Sequence, residues 1–80
     1  MTLFVVGTPI GNLEDITYRA VRILGECDLI LCEDTRTSRV LLNHYQIKKD
    51  LISYHKFNAR KQEEFILEKL EAGCKVGLIS

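Results

Sequence analysis

Short runs of apolar residues recur along the chain and stop at glycine, acidic or polar residues. Three of these runs are nearly continuous, at residues 3–6, 29–32 and 76–79, and a weaker one covers residues 51–54. Apolar runs without alternation are typical of strands that are covered on both faces, as in a parallel sheet. The pattern therefore predicts four strands in a parallel arrangement.

The segments between these runs repeat their apolar residues with the period of an amphipathic helix. One helix is predicted from an N-cap at Asp15 to about residue 26, and a second from residue 37 or 38 to residue 45. A third is predicted between a cap at Asn58 and a terminating Gly73. The expected buried positions are Ile16, Ala20, Ile23, Leu24 and Cys27 in the first helix, Val40, Leu41 and Tyr45 in the second, and Phe65, Ile66 and Leu70 in the third.

Strands and helices thus alternate as β-α-β-α-β-α-β, which predicts an α/β fold. Right-handed crossovers would place helices on both faces of an open parallel sheet. The chain has 80 residues, so we expect residues 1–80 to form one α/β domain. The last predicted strand ends at Ser80 with no helix after it, and we therefore expect an N-terminal domain truncated at its C-terminal end.

Composition limits the function classes further. The chain carries eleven basic and eleven acidic residues, so its formal net charge is zero, which argues against a free-standing nucleic-acid binder. The longest apolar run, residues 29–32, is far too short to span a bilayer, and no basic segment precedes residues 3–6 as in a signal peptide. These features predict a cytoplasmic protein with no membrane partner.

Three cysteines, Cys27, Cys32 and Cys74, fit no common zinc spacing, and no metal site is predicted. An odd number of scattered cysteines suits a reducing compartment. We interpret all three as small hydrophobic residues, with a thiol nucleophile or ligand as the alternative.

The segment Gly7–Asn12, GTPIGN, leaves the first predicted strand and leads to a helix. Parallel sheets place ligand loops at this position, where glycine lets the backbone approach a ligand and proline stiffens the turn. The segment lacks the spacing of a dinucleotide fingerprint and the Gly-Lys-Ser/Thr of a Walker A loop. It indicates a ligand loop of another kind, and a tight strand-to-helix connection is the alternative.

Two further polar segments follow predicted strands. Residues 33–38, EDTRTS, come after the second strand, and residues 54–58, YHKFN, come after the third. An acid after a strand can accept hydrogen bonds from a ribose, and a histidine there can contact a substrate or act as a base. The simpler alternatives are a helix cap made by Asp34 or Thr37 and an exposed loop histidine. Because parallel strands end at one edge, we expect all three segments to meet in a ligand site.

The quoted stretches also resemble a known family. GTPIGNLEDITYRA, CEDTRTS and YHKFN are similar to the N-terminal part of the ribosomal RNA small subunit methyltransferase I family, within the tetrapyrrole methylase superfamily, and the resemblance covers all 80 residues. Lys56 and Phe57 stand where the family motif, YHEHN, has an acid and a histidine, so the roles of those two positions do not carry over. The family continues after GLIS into an Asp-Ala-Gly-Thr-Pro segment that this chain does not contain.

The resemblance implies an S-adenosylmethionine-dependent enzyme. The full-length protein would methylate a cytidine ribose 2'-hydroxyl in small-subunit (16S) ribosomal RNA as a cytoplasmic homodimer. The cofactor would lie between this domain and a second one, so this part alone is expected to be inactive. The sheet would have the strand order 3-2-4-1, the first four strands of the superfamily order 3-2-4-1-5.

Site residues follow from the matching motifs. The resemblance implies that the loops after the first and fourth strands bind the cofactor. Glu33, Asp34 and His55 are catalytic candidates, because a ribose hydroxyl benefits from a general base or a polarising contact. Arg36 is the candidate for binding substrate, at a phosphate or a carboxylate. The implied cofactor-binding residues are Pro9, Ile10, Gly11, Asn12 and Ser80.

Two other functions remain open at this point. One is a related methylase that acts on a small tetrapyrrole, although the EDTR stretch favours the RNA branch. The other is a nucleotide-binding or interaction module without catalysis.

Overall fold

The computed structural model describes residues 1–8 and 12–79 of the chain. The alternation of strands and helices predicted from the sequence is confirmed. The elements, in chain order, are β1 (Thr2–Val6), a short 3-10 helix (Leu13–Asp15), α1 (Tyr18–Glu26), β2 (Leu29–Cys32), α2 (Thr35–His44), β3 (Asp50–Ser53), α3 (Ala59–Glu71) and β4 (Lys75–Ile79).

The four strands form one sheet in the order β1-β4-β2-β3, and each neighbouring pair is parallel. This is the expected order 3-2-4-1 read from the other end, so the α/β fold class and its topology are confirmed. Val6 pairs with Ile79, and Cys32 pairs with Ser53. All four strands therefore end at the same edge of the sheet, which we call the carboxyl edge.

Helices cover both faces of the sheet, as predicted. α1 and α2 pack on one face, where the buried residues include Leu24, Ile30 and Leu42. α3 packs on the other face through Ile66, which contacts a cluster that contains Leu31 and Val76. β2 is buried along its whole length because it lies inside the sheet with helices on both sides.

β1 differs from the expectation of strands covered on both faces. Phe4 and Val6 point toward α1 and α2, but Leu3 and Val5 on the opposite face are 52% and 63% exposed. The reason is positional, since β1 is the outer strand of the described sheet and α3 packs over its interior. An apolar groove of about 350 Å³ remains beside α3 and includes Leu3 and Leu67.

The first helix begins later than predicted, and Asp15 as its N-cap was wrong. Asp15 closes the 3-10 helix, which is capped by the side chain of Asn12. α1 starts after Thr17, whose hydroxyl accepts a hydrogen bond of 3.0 Å from the Ala20 N–H. Aspartate and threonine side chains both accept hydrogen bonds from the free amides at the start of a helix. Asp15 and Thr17 are therefore both possible N-cap residues by type.

The second helix begins earlier than predicted, because Asp34 takes the N-cap position. Val40, expected in the core, is exposed, because it lies about 100° around the helix from the buried Leu41. Ser38, Leu41 and Leu42 are the buried residues of α2.

The third helix ends as predicted. Gly73 adopts a left-handed φ of 90°, and its N–H donates to the Leu70 carbonyl while the Cys74 N–H donates to the Lys69 carbonyl. This pair of hydrogen bonds is a Schellman motif, which needs a left-handed residue after the helix. None of the helices in residues 1–8 and 12–79 is long and apolar enough to cross a membrane.

Candidate functional site at the carboxyl edge

The exits of β2 and β3 lie side by side at the carboxyl edge. The Tyr54 N–H donates a hydrogen bond of 2.7 Å to the Cys32 carbonyl, which continues the pairing of the two strands by one residue. The residues that follow each strand therefore face one another. They line a groove of about 390 Å³ formed by Glu33, Asp34, His55, Lys56 and Phe57.

Asp34 is held in place by the first turn of α2. Its Oδ1 accepts from the N–H of Arg36 at 3.0 Å and of Thr37 at 3.5 Å, and its Oδ2 accepts from the Thr37 hydroxyl at 3.1 Å. The Arg36 N–H, followed by the Thr37 hydroxyl and N–H, lowers the pKa of the Asp34 carboxyl below its ordinary value. Asp34 is therefore an anion and a weak base, and the helix-cap interpretation of this segment is confirmed.

Arg36 extends into solvent beside this cap. Its Nε lies 4.0 Å from Asp34 Oδ1, so its ionic contact is with Asp34 and not with Glu33. Both side chains are largely exposed, and such a contact stabilises the fold little. The guanidinium is therefore available to a ligand that reaches the N-terminus of α2.

Glu33 differs from its neighbour in having its carboxylate uncommitted. It is exposed at the groove, and among the described residues it has no recorded hydrogen bond or ion pair. A carboxylate without a structural role is the better placed of the two to accept a proton from a ligand.

The loop after β3 is organised by one amide side chain. Asn58 Oδ1 accepts from the His55 N–H at 2.8 Å, and Asn58 Nδ2 donates to the Ser53 carbonyl at 3.0 Å and to the Ser53 hydroxyl at 2.9 Å. Asn58 stands at the predicted N-cap of α3 but makes no side-chain capping hydrogen bond. Its amide instead fastens the loop to the end of β3.

This loop also sets the chemistry of the histidine. His55 Nδ1 accepts a hydrogen bond of 3.2 Å from the Phe57 N–H. An imidazole nitrogen that accepts carries no proton, so neutral His55 has its proton on Nε2. The neutral ring at the groove thus has an N–H donor at Nε2, which suits polarising an oxygen better than removing a proton.

Lys56 and Phe57 line the same groove, although the sequence assigned them no role. The Lys56 Nζ lies 5.1 Å from the centre of the Phe57 ring, and Phe57 is 85% exposed. The available signal was an aromatic residue next to a lysine in a polar loop, but only the fold shows that both face Glu33 and Asp34.

The loop after β1 lies farther along the edge. β4 separates β1 from β2, which places the two exits about 10 Å apart at the usual strand spacing. The Asn12 side chain accepts from the Glu14 N–H at 3.0 Å, and the Tyr45 hydroxyl donates to the Leu13 carbonyl at 2.6 Å. The expected cofactor residues Pro9, Ile10, Gly11 and Ser80 lie outside the described residues.

The cysteines do not contribute a nucleophile to the groove. Cys32 ends β2 directly below it, but the side chain is buried, and burial is the main reason that the pKa of its thiol is raised. The pKa of Cys27 is raised as well, by burial and then by the charges of Asp28 and Glu26. Both are small core residues, as predicted. Across residues 1–8 and 12–79, no cluster of three or more histidine, cysteine or acidic residues is placed to hold a metal ion.

Comparisons with known proteins point to one family. The profile of the Tetrapyrrole (Corrin/Porphyrin) Methylases matches residues 2–80. Proteins named ribosomal RNA small subunit methyltransferase I are similar along almost the whole chain, with 58% identity over 78 residues in Mycoplasmopsis pulmonis and 56% over 78 residues in Thermotoga maritima. A protein of the same name in Halalkalibacterium halodurans is 47% identical over 79 residues.

The matches cover nearly all of this chain but only a part of each relative. The matches take in 98%, 98% and 99% of this chain but only 35%, 35% and 27% of the respective relatives, so the chain spans about a third of their length. The family profile, in contrast, matches nearly every residue of the chain. Together with the parallel sheet and the polar groove at its carboxyl edge, this shows that the chain belongs to the tetrapyrrole methylase family.

Proposed function

We propose that the full-length protein is an S-adenosylmethionine-dependent methyltransferase that modifies a cytidine ribose 2'-hydroxyl in small-subunit (16S) ribosomal RNA. Membership of the methylase family and the names of the similar proteins support the reaction class and the acceptor. The observation that carries the proposal is the groove that brings Glu33, Asp34 and His55 together at the carboxyl edge. In open parallel sheets this edge is where ligands bind.

The residues at the edge fit the proposed cofactor. S-adenosylmethionine offers a carboxylate, for which the exposed Arg36 guanidinium is a suitable partner. At Gly7, where the chain leaves β1, no atom of the described residues lies within 4 Å of an added Cβ. When bound, the cofactor would supply a methyl group on a positively charged sulfur. The residues proposed to hold it are Asn12 together with Pro9, Ile10, Gly11 and Ser80.

Different side chains at the groove would activate and orient the ribose 2'-hydroxyl. Glu33 would accept the proton that the ribose 2'-hydroxyl loses as its oxygen bonds to the methyl carbon and the bond from that carbon to the cofactor's sulfur breaks, leaving a neutral thioether. His55 would donate its Nε2–H to the same oxygen or to a neighbouring one, and so orient the ribose. Asp34 is a weaker candidate base, because its lowered pKa and its capping hydrogen bonds favour a structural role. Arg36 would bind a phosphate of the RNA if it does not hold the cofactor.

A homodimer in the cytoplasm is part of the proposal. The apolar groove beside α3, with Leu3 and Leu67 at its rim, is a surface that a second copy could cover. Light scattering on the full-length protein in solution tests this, because a homodimer has twice the mass of one chain and a monomer does not.

The function is tested with purified full-length protein, tritiated S-adenosylmethionine and small-subunit ribosomal RNA. We expect transfer of label to RNA, and mass spectrometry of the digested RNA should identify 2'-O-methylcytidine. Cofactor binding measured by calorimetry provides a separate readout.

Matched variants test the assigned roles. Glu33→Gln should lower the rate about 10²–10⁴-fold, the usual contribution of a general base. Glu68→Gln, an exposed change on α3, should leave the rate unchanged. A methyl group on a base, methylation of a tetrapyrrole but not of RNA, or no cofactor binding at all would contradict the proposal.

A further inference from the structure

The segment that follows His55 carries a local excess of positive charge. Residues 56–61, KFNARK, contain Lys56, Arg60 and Lys61 and no acid, although the whole chain has a net charge of zero. We call residues 56–61 the basic segment. α3 begins at Ala59, so Arg60 and Lys61 stand exposed on its first turn, beside Lys56 in the preceding loop.

The basic segment also presents an aromatic ring to solvent. Phe57 is 85% exposed, and Lys56 Nζ lies over one face of its ring at 5.1 Å from the centre. The His55 ring meets it at an angle of 66° with the centres 6.0 Å apart, which is an edge contact and leaves the other face open. The Phe57 N–H bond to His55 Nδ1 ties its backbone to the loop, and the ring lines the groove where the proposed acceptor would arrive.

We propose that the basic segment binds single-stranded RNA, with an unpaired base stacked on Phe57 and flanking phosphates on Lys56, Arg60 and Lys61. Stacking on aromatic side chains combined with cations along the backbone is the usual way in which proteins hold single strands. The inference rests on the proposed function and names the form of the acceptor that the site takes.

The charges around the groove decide on which side of it the RNA phosphates lie. Glu33 and Asp34 on the opposite wall repel phosphates. The phosphates therefore lie on the side of the basic segment, and the bases and riboses turn toward Glu33 and His55. A paired strand cannot do this, because its bases are stacked on their neighbours and its riboses are held in the helix.

The first test measures binding of a fluorescently labelled twelve-nucleotide single strand and of the same sequence in a duplex, by anisotropy with the full-length protein. Phe57→Ala should weaken binding of the single strand about 5- to 100-fold, as removal of a stacking ring does elsewhere. Binding of the duplex should stay the same, and Phe57→Tyr should keep the affinity for the single strand. Equal affinity of Phe57→Ala and the unsubstituted protein for the single strand would overturn the inference, as would an equal loss for both RNAs.

The second test uses the salt dependence of single-strand binding. Each phosphate contact contributes about 0.7 to the slope of log affinity against log salt, so Lys56→Gln should reduce the slope by about that amount. Lys69→Gln is the matched control, since Lys69 lies at the other end of α3 with its Nζ 5.3 Å from the centre of the Phe65 ring. Equal slopes for Lys56→Gln and the unsubstituted protein would exclude the phosphate contact.

The two proposals fail in different ways. Methyl transfer to RNA that is as efficient with Phe57→Ala as without it would remove the stacking role and leave the enzyme assignment standing. Binding of the single strand that depends on Phe57, without methyl transfer by the unsubstituted protein, would support the RNA contact and remove the enzyme assignment.

Discussion

Gly77 on β4 lies directly against the side chain of Cys27 at the end of α1. A Cβ atom added to Gly77 would stand 2.8 Å from Cys27 Sγ, and its next neighbours would be at 3.7 Å or more. Cys27 is completely buried, so its sulfur has little room to move. This contact sets how closely the first helix approaches the sheet.

Gly77→Ala should therefore destabilise the protein by about 1–3 kcal/mol, the usual cost of overpacking. The measurement is the free energy of urea unfolding of the two single variants and of the double variant with Cys27→Ala. Because the second change removes the clashing sulfur, the double variant should be less destabilised than the sum of the single effects. Simple additivity would show that the clash does not arise from this pair.

Replacing Gln46 with glycine should stabilise the protein. It follows α2 with a left-handed φ of 57°, and the Ile47 N–H donates to the Leu42 carbonyl as in a Schellman motif. Removing the strain of a non-glycine residue in the left-handed conformation should stabilise the folded state by about 1–2 kcal/mol. The greater conformational entropy of glycine in the unfolded chain should offset about 0.4–1 kcal/mol of this.

Gln46→Gly should thus raise the free energy of unfolding by about 0.5–1 kcal/mol in the same urea assay. Gln46→Ala keeps the strained conformation and serves as the control, with no such gain expected. A gain from alanine equal to that from glycine would mean that backbone strain is not the cause.

Stability should depend on pH through Asp34. Its pKa is lowered in the folded protein by hydrogen bonds to the carboxylate, so the charged form stabilises the fold. This contribution is fully present above the ordinary pKa of about 3.9 and is lost as the pH falls through the lower value of the folded state.

Urea midpoints at pH 7 and pH 3 measure this dependence. Asp34→Ser keeps an acceptor at the N-cap but cannot titrate, so it should lose less stability on acidification than the unsubstituted protein. Asp34→Ala should be less stable at pH 7 than either. If Asp34→Ser shows the same acid sensitivity as the unsubstituted protein, other carboxylates are responsible.

Asn58 should matter for both stability and the site. Asn58→Ala removes the acceptor of the His55 N–H and both donors to Ser53, which should cost about 1–3 kcal/mol because these groups are partly buried. The loop would no longer hold His55 in place, so the methyl-transfer rate should fall as well. Asn43→Ala, at an exposed position of α2, is the matched control and should change the unfolding free energy by less than about 0.5 kcal/mol. An unchanged methyl-transfer rate at a temperature where the variant is folded would show that the hydrogen bonds of Asn58 do not affect catalysis.

Much of the fold could be predicted because its signals are local. The apolar runs at residues 29–32 and 76–79 became interior strands, and Gly73 ended α3 because only a left-handed residue suits that position. The placement of the polar segments at one edge also followed, since parallel strands must end together. The family resemblance was confirmed by the profile match over residues 2–80.

Three details were not predictable from periodicity. Asp15 and Thr17 are both good N-cap residues, and the backbone conformation decided for Thr17. Leu3 and Val5 belong to a continuous apolar run, but their exposure depends on where α3 packs. Asn58 has the residue type of a cap, yet its amide bonds to Ser53 and His55 instead.

The sequence by itself determined the order of the elements, because short local patterns signal each strand and helix. The parallel sheet and the edge that bears the polar segments follow from that alternating order. The tertiary structure decided which of those polar side chains form hydrogen bonds within the protein and which are available to a ligand. Asp34 is committed to capping α2, Glu33 is left uncommitted, and His55 has its Nδ1 bonded to the Phe57 N–H. The physical reason is that a side chain's hydrogen-bonding capacity is limited, and only the folded backbone fixes which donors and acceptors reach it first.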